Sequence, residues 1–541
     1  MIMKNINWFF SALIAIVLCA CTQHEMLEED APQSVPDGMV SITAYAPGDG
    51  ADSRIAFIDN GSTISLEWSD EESISVIWNN GNETFTKSSE GNVFTGNSLG
   101  ESEVYYASYP TTTSTDYTTV PYDLSSQTGM LEGSQPYMYA TSTDGESFSF
   151  AHSTALLKAT FSGLADGTAI KWVMLTTKGC NKMKGNFNLT DGSINDGSTG
   201  NHITVYFDTP VSSTTPVFVY LPPMASDEKE LFFDVMTSDN KCYTATLGGS
   251  SGKAILAGNL YTAENISLTP DIPYVTFSTT GTQVLTIGGA SDADLNVEYS
   301  LGGDDWYNLT VNEEILFGRN DGFLRLRGMD PYGTNEANIS FANESAPVEC
   351  HGDIRTLVDY ENYADAETDN ANFKGLFKGC VVLTTAPELP AKKLNEGCYE
   401  YMFLGCTSLT TAPELPAEIM EFACYAEMFS GCTSLQNAPE LPATTLAYGC
   451  YDHMFYGCTS LVSAPELPAT TLVENCYYKM FYDCVKLEYI KMLAKDVSAY
   501  NCLYNWVTNV SQTGTFIKAR SMTSLPSGPN GIPTNWTVEN Q

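Results

Sequence analysis

The sequence predicts a mainly β, multidomain chain: two tandem antiparallel β-sandwiches, a small β-domain, and a C-terminal repeat solenoid with short helices. Three observations carry that class. Short runs of alternating polar and apolar residues, broken by Gly, Asn, Asp and Ser, fill residues 38 to 268, with no long stretch of 3.6-residue period. The Pro-containing stretch Thr269-Pro270-Asp271-Ile272-Pro273 then reads as a linker. From residue 405 one unit recurs almost verbatim, as GCTSLTTAPELPAEIMEFACYAEMF, GCTSLQNAPELPATTLAYGCYDHMF and GCTSLVSAPELPATTLVENCYYKMF.

Composition limits what such a chain can do. Its 541 residues, 43% of them hydrophobic, suffice for several packed cores. A formal charge of -40, from 65 acidic and 25 basic residues, repels phosphate backbones and anionic lipid, which excludes nucleic-acid binding. Five scattered histidines offer little for metal or acid–base chemistry.

Residues 1 to 20 read as a signal peptide: Lys4 supplies the positive n-region, and Trp8 to Val17 form an apolar run too short to span a bilayer. Leu18-Cys19-Ala20-Cys21 resembles the lipobox of bacterial lipoproteins, which implies diacylation of Cys21 and cleavage before it. The alternative is an ordinary signal peptide cut after Ala20. Residues 21 to 37 form an acidic tether with Glu25, Glu28, Glu29 and Asp30. An acidic stretch after a lipidated cysteine resembles the surface-export tag of lipoproteins in the Bacteroidetes, implying an outer-membrane, surface-exposed location.

Residues 38 to 149 and 150 to 268 are the expected sandwiches. ISLEW, SISVIW and EVYYASYP mark strands in the first, and ALLKATF, IKWVMLTT, PVFVYLP and LFFDVMT in the second. Arg54-Ile55-Ala56-Phe57, LEWSDEESISVIW, AHSTALLKATFSG, VYLPPM and AGNLYTAENISL occur in an order that resembles the fimbrillin-like (Mfa-like) proteins. The resemblance implies two β-sandwiches and a role as a pilus subunit, pilus tip or related adhesin. It also implies a processing site: polymerising fimbrillins are cut after an N-terminal arginine, which opens a groove for a donor strand, and Arg54 is the matching residue. The long C-terminal region departs from the stalk pattern and favours an anchored or tip-like protein.

Residues 274 to 345 read as a small β spacer domain with Trp306, Phe323, Leu324 and Leu326 in its core and a hairpin turn at Gly302 to Asp305. Residues 346 to 510 form the expected solenoid and 511 to 541 its cap. Met-Phe at 402, 428, 454 and 480 and Pro-Glu-Leu-Pro at 387, 413, 439 and 465 share a period of 26 residues. That period lies inside the roughly 20–29-residue range of leucine-rich repeats. Tyr425, Met428 and Phe429, at i, i+3 and i+4, predict a short helix closed by Gly431. The prolines of PELP predict extended arcs with poor ladder pairing. The pattern resembles the BspA-like leucine-rich repeats of bacterial surface proteins, which implies binding of other proteins or matrix components.

The repeat cysteines form two columns: 380, 406, 432, 458 and 484, then 398, 424, 450 and 476. No C-x2-C pairs with a neighbouring pair occur, so no metal site is expected. On helices, neighbouring backbones would lie about 8–10 Å apart, beyond disulfide reach, which favours buried free thiols; some disulfides remain the alternative. The expected binding face is Glu414, Glu440 and Glu466, stacked with Glu388, and the positions that differ between copies, Gln436, Asn437, Val462 and Ser463.

No catalytic residue, no cofactor and no metal are expected, since no nucleophile motif, zincin, Walker or dinucleotide pattern appears. The function expected is a non-enzymatic, lipid-anchored surface adhesin or pilus-associated protein that binds host or bacterial surface proteins through the repeat. The alternative is a glycan-capturing lipoprotein serving nutrient uptake, supported by exposed aromatics.

Overall fold

The structure is a computed structural model. It describes residues 39–541 except 46–57, 60–63, 66–67, 69–71, 80, 89–90, 115–117, 131–135, 179, 195–199, 226–229, 248–253, 290–294, 304, 319–320, 369–370 and 523–524. The chain is mainly β and builds several sheets. Its only helices among the described residues are two short 3₁₀ turns, Ile354–Leu357 and Tyr363–Asp365.

The first sheet has eight strands, with Met39–Tyr45 between Ser147–Ser149 and Val93–Asn97 and the central strands at Gly81–Lys87, Ser73–Trp78 and Tyr105–Tyr109. Trp68 fills the middle of its core. Phe94, Tyr109 and Phe150 meet that indole edge-on at 5.3–5.4 Å, and its Nε1 donates to the Ala44 carbonyl at 3.0 Å.

A second core lies between a three-stranded and a six-stranded sheet. Ala155–Ser162 alternates buried and half-buried residues, pairs antiparallel with the wholly buried Val217–Leu221, and pairs parallel with Leu260–Ser267. The six-stranded sheet is built around Ala169–Lys178, flanked by His202–Ser212 and Glu230–Thr237. Thr119–Asp123 belongs here too: Val120, Tyr122 and Leu124 pack into this core ahead of residue 150.

Residues 274–351 form two further small sheets, seated on the six-stranded sheet. Trp172 stacks on Phe323 at 3.7 Å, and Met174 and Met236 close around them. Beside that stack the Arg325 guanidinium is buried. It donates to Asp234 at 3.2 Å, to Asp271 of the Pro-containing joint at 3.5 Å, and to the Gly303 carbonyl. Of the expected core residues, Phe323, Leu324 and Leu326 are buried. Trp306 is not core: it lies half-buried, with Tyr274 at 4.8 Å and the Arg327 guanidinium 4.0 Å from its ring.

From Val275 to Trp536 one hydrophobic core continues without a break. Ile339 donates its N–H to the Leu376 carbonyl and Val348 to that of Val382, so the sheets of residues 274–351 close one end of the repeat. Trp506 donates to Gly531 at 2.9 Å and Trp536 to Ser511 at 2.8 Å, which ties residues 511–541 across the other.

The 26-residue copies lie one on another. The Met-Phe segment of each is not a helix, contrary to the i, i+3, i+4 expectation. It is a ribbon of tight turns with a positive φ at every fourth residue: Gly397, Tyr401 and Gly405, then Ala423, Glu427 and Gly431, then Gly449, His453 and Gly457. Alternate amides bond in two directions. Glu400, Met402, Leu404 and Cys406 close turns onto the carbonyls of Gly397, Tyr399, Tyr401 and Phe403. Tyr399, Tyr401, Phe403 and Gly405 reach the next copy, at Cys424, Ala426, Met428 and Ser430. Every backbone donor of the ribbon is satisfied without a helix. Two residues then point in and two out, so Tyr399, Met402 and Phe403 are all buried.

Across the coil, the prolines of PELP leave only isolated bridges, Thr411 to Asn437 and Asn437 to Ser463. A parallel ladder starts at the last of these copies, Ser463–Leu467, with its register broken between Ser463 and Glu466 around Pro465, and runs on through Tyr489–Met492, Thr515–Lys518 and Thr537–Asn540.

Candidate binding faces of the repeat

Backbone bonding from copy to copy sets a ladder spacing of about 4.8 Å, not the 8–10 Å expected of helices. The inward rings show it. Phe377, Phe403, Phe429, Phe455 and Phe481 stack at 5.4–5.7 Å, and Tyr399, Tyr425, Tyr451 and Tyr477 at 5.9–6.0 Å. Distance therefore does not keep the cysteines apart. Direction does: the thiols of Cys406, Cys432, Cys458 and Cys484 donate to the carbonyls of Phe377, Phe403, Phe429 and Phe455 at 3.0–3.2 Å. All cysteines among the described residues are free, and burial pushes the thiols up, that of Cys432 to about 12. A buried neutral thiol of this kind packs as a small hydrophobe.

All seven residues of the expected binding face are exposed. Glu414, Glu440 and Glu466 are exposed and occupy equivalent positions, three residues beyond Thr411, Asn437 and Ser463. Gln436 and Val462 are exposed beside them. The column continues at both ends: Asp353 bridges to Glu388, and Lys491 pairs with Glu466 at 2.8 Å. Burial, then Asp353 and Glu414, raise the Glu388 carboxyl above its ordinary value. Pro387, Pro390, Pro413 and Pro416 line a shallow groove of about 430 Å³ around Glu388 and Glu414. Cys21 and Arg54 lie outside the described residues.

A second face was not foreseen. The outward pairs of the ribbon change from copy to copy while the inward Cys-Tyr and Met-Phe stay constant. Tyr456 stacks on Tyr482 at 5.0 Å, Tyr478 on Tyr504 at 5.1 Å, and Phe422 on Tyr448 at 5.3 Å. His453 sits 5.4 Å from both Tyr456 and Tyr478, and its Nδ1 meets the Asp452 carboxylate. Phe422, Tyr448 and Tyr504 are 41–46% exposed, which makes this a surface of rings and not a core edge. The signal was in the sequence, at positions directly after Met-Phe (Tyr456, Tyr482), two before it (Tyr478) and six before it (Phe422, Tyr448).

Among the described residues, no group of three or more His, Cys, Asp or Glu is placed to hold a metal ion, and no helix is long and apolar enough to cross a membrane.

Comparison with known proteins bears on the N-terminal half. Three solved structures, each titled "putative cell adhesion protein", are similar to part of the chain. That from Bacteroides ovatus ATCC 8483 is 15% identical, covers 43% of this chain and 96% of its own, and has a TM-score of 0.30. That from Bacteroides uniformis ATCC 8492 is 17% identical over 43% and 99%, with a TM-score of 0.30. That from Bacteroides fragilis NCTC 9343 is 9% identical over 43% and 97%, with a TM-score of 0.25. No curated protein matches the chain. The fimbrillin-like family model matches residues 61–315, taking in both N-terminal cores and the start of the third unit.

Proposed function

We propose that this chain is a non-enzymatic surface adhesin or pilus-associated protein, anchored by lipid at Cys21, with its C-terminal repeat as the partner-binding part. The fimbrillin-like match over residues 61–315 carries the reading. The repeat is read as a leucine-rich-repeat solenoid of the BspA-like kind. In support, its inward leucines, Leu409, Leu435 and Leu461, are fully buried, while its outward positions vary on a constant scaffold. The two sandwiches then act as a stalk. A cut at Arg54 would release residues 39–45, which lie between two other strands of the first sheet, and would leave an opening for a donor strand.

The joint at residues 269–273 separates the second core, ending at Leu268, from the third, starting at Val275, which makes it the place to divide the chain. Fragments 39–268 and 274–541 should be compared for adherence to one panel of immobilised matrix proteins and polysaccharides. Adherence of the C-terminal fragment alone is expected. Adherence of the N-terminal fragment alone would move binding to the sandwich loops, and capture of polysaccharide only would favour nutrient uptake.

A further inference from the structure

The outward ridge of the turn ribbon varies from copy to copy while the core of its coil stays constant. Its inward neighbours Tyr451, Met454 and Phe455 are buried and complete the core. Outward, equivalent positions read Ser430, Tyr456 and Tyr482, and Asp452, Tyr478 and Tyr504. A scaffold that needed particular residues there would repeat them as it repeats Met-Phe. The rings are also held in place before any partner arrives, because stacking at 5.0 and 5.1 Å restricts their rotamers. Rigid, amphipathic tyrosines make contact area at low entropy cost, which is why they concentrate at protein interfaces.

Charge identifies the partner. Glu400, Glu427 and Asp452 crowd one end of the ridge, where Lys374 pairs with Glu400 at 2.8 Å and His453 meets Asp452. Burial, then Asp452 and Glu400, push the Glu427 carboxyl up, with His453 and Lys378 opposing. The ridge already holds ammonium groups: Lys479 lies 5.3 Å from the Tyr478 ring centre and 6.0 Å from that of Tyr482, and Lys374 and Lys378 lie 5.6 and 5.3 Å from that of Tyr401. Carboxylates and phenol oxygens accept hydrogen bonds, and arginine and lysine only donate them. A second copy of a chain carrying a charge of -40 is repelled. A neutral glycan prefers open ring faces, whereas these rings largely cover one another.

We infer that the ridge around Tyr456, Tyr478, Tyr482, Tyr504, Glu427 and Asp452 is a docking surface for an arginine- or lysine-rich surface of another protein. The inference deepens the adhesive reading and rests on it only for the existence of a partner.

The test must separate a local site from general attraction to an acidic protein. Two variants of the full chain lose the same two charges: Glu427→Gln with Asp452→Asn on the ridge, and Glu414→Gln with Glu440→Gln on the proline face. The probes are immobilised (Arg-Gly-Ser)6 peptide, (Glu-Gly-Ser)6 peptide and dextran. Tenfold or greater weakening toward the arginine peptide is expected in the ridge variant, and less than twofold in the other. A ring variant, Tyr456→Ser with Tyr482→Ser, should weaken binding at least tenfold at unchanged net charge. Tyr456→Phe with Tyr482→Phe keeps the stack and covers the case in which the serine variant misfolds, with at least threefold weakening expected. Equal weakening in the two charge variants, loss on the proline face alone, or binding of dextran in preference to the arginine peptide would overturn the assignment. Adherence of cells carrying the full chain is scored separately. If cells fail to adhere while the peptide pattern holds, the ridge stands and the adhesive role falls.

Discussion

His152 ends a short strand that pairs with Met138, at the margin of the first sheet, and it is largely buried, with no carboxylate partner among the described residues. Burial disfavours the imidazolium and lowers its pKa to about 4. The folded state thus binds this proton less readily than the unfolded chain, whose imidazole titrates near 6.5. Stability from this group is full above pH 6.5 and is lost as the pH falls toward 4. A shift of that size is worth about 3 kcal/mol. The His152→Gln variant should lose less stability than the parent between pH 7 and pH 4.5, measured by urea unfolding at each pH; parallel pH profiles would show that His152 is hydrated in the native state. At this scale the repeats were the most legible part of the chain. A residue copied at 26-residue spacing, such as Tyr425 or Met428, had to occupy one environment, and it is buried. Arg325 and Asp234 were not legible as partners, because 91 positions separate them and neither belongs to a motif.

The turn ribbon shows where periodicity runs out as a guide to an element. Inward residues at i, i+3 and i+4 satisfy a 3.6-residue helix and a four-residue ribbon equally over so short a stretch. What separates the two is the residues at positive φ, supplied here by Gly397, Gly405, Gly449 and Gly457 and by Asn475, Asn501, Asn505 and Asn509. Those glycines and asparagines, spaced by four or eight, were the unread signal. Gly431 makes the point testable. Its φ is 76°, and an added Cβ would sit 3.6 Å from the Gly405 Cα of the coil beneath. Asp483 and Asn509 fill the same position two and three copies on, at φ of 61° and 58°. Gly431→Asn should therefore cost less than about 1 kcal/mol, and Gly431→Val about 2 kcal/mol or more. A helix closed by Gly431 would show the same order, so the pair of substitutions tests the positive φ itself, and equal thermal midpoints would contradict it. Leu435, fully buried below the ribbon, tests coupling between copies. Leu435→Asp should cost several kcal/mol and speed proteolysis across residues 400 to 470, because alternate amides in the ribbon of each coil bond to the next.

The whole molecule is organised by how its cores join. A Pro-containing stretch between β-rich segments was read as a linker, since proline and polar residues punctuate chains. Here that stretch is fastened: Asp271 accepts from Arg325, the Asp271 N–H reaches the Cys242 carbonyl, and the Pro273 carbonyl accepts from Asp353 at the first turn beneath the repeat. With Trp172 on Phe323 beside it, the joint fixes the direction in which the repeat leaves the sandwiches. Rigidity matters to a protein that presents a distant face to a partner, because a loose joint spreads that face over many orientations. The buried guanidinium is the part to remove. Arg325→Ala takes the countercharge from buried Asp234 and from Asp271, which costs about 3–5 kcal/mol, whereas replacing the most buried pair, Arg325→Met with Asp234→Leu, costs less, because only the more exposed Asp271 then loses its cation. The single variant should unfold in two separated thermal transitions and be cut by protease within residues 269–273. The double variant should keep one transition and resist the cut, since Trp172 and Phe323 still hold the surfaces together. If the single variant also melts in one transition and stays uncut there, the ion cluster does not govern the joint, and the aromatic stack alone sets the geometry.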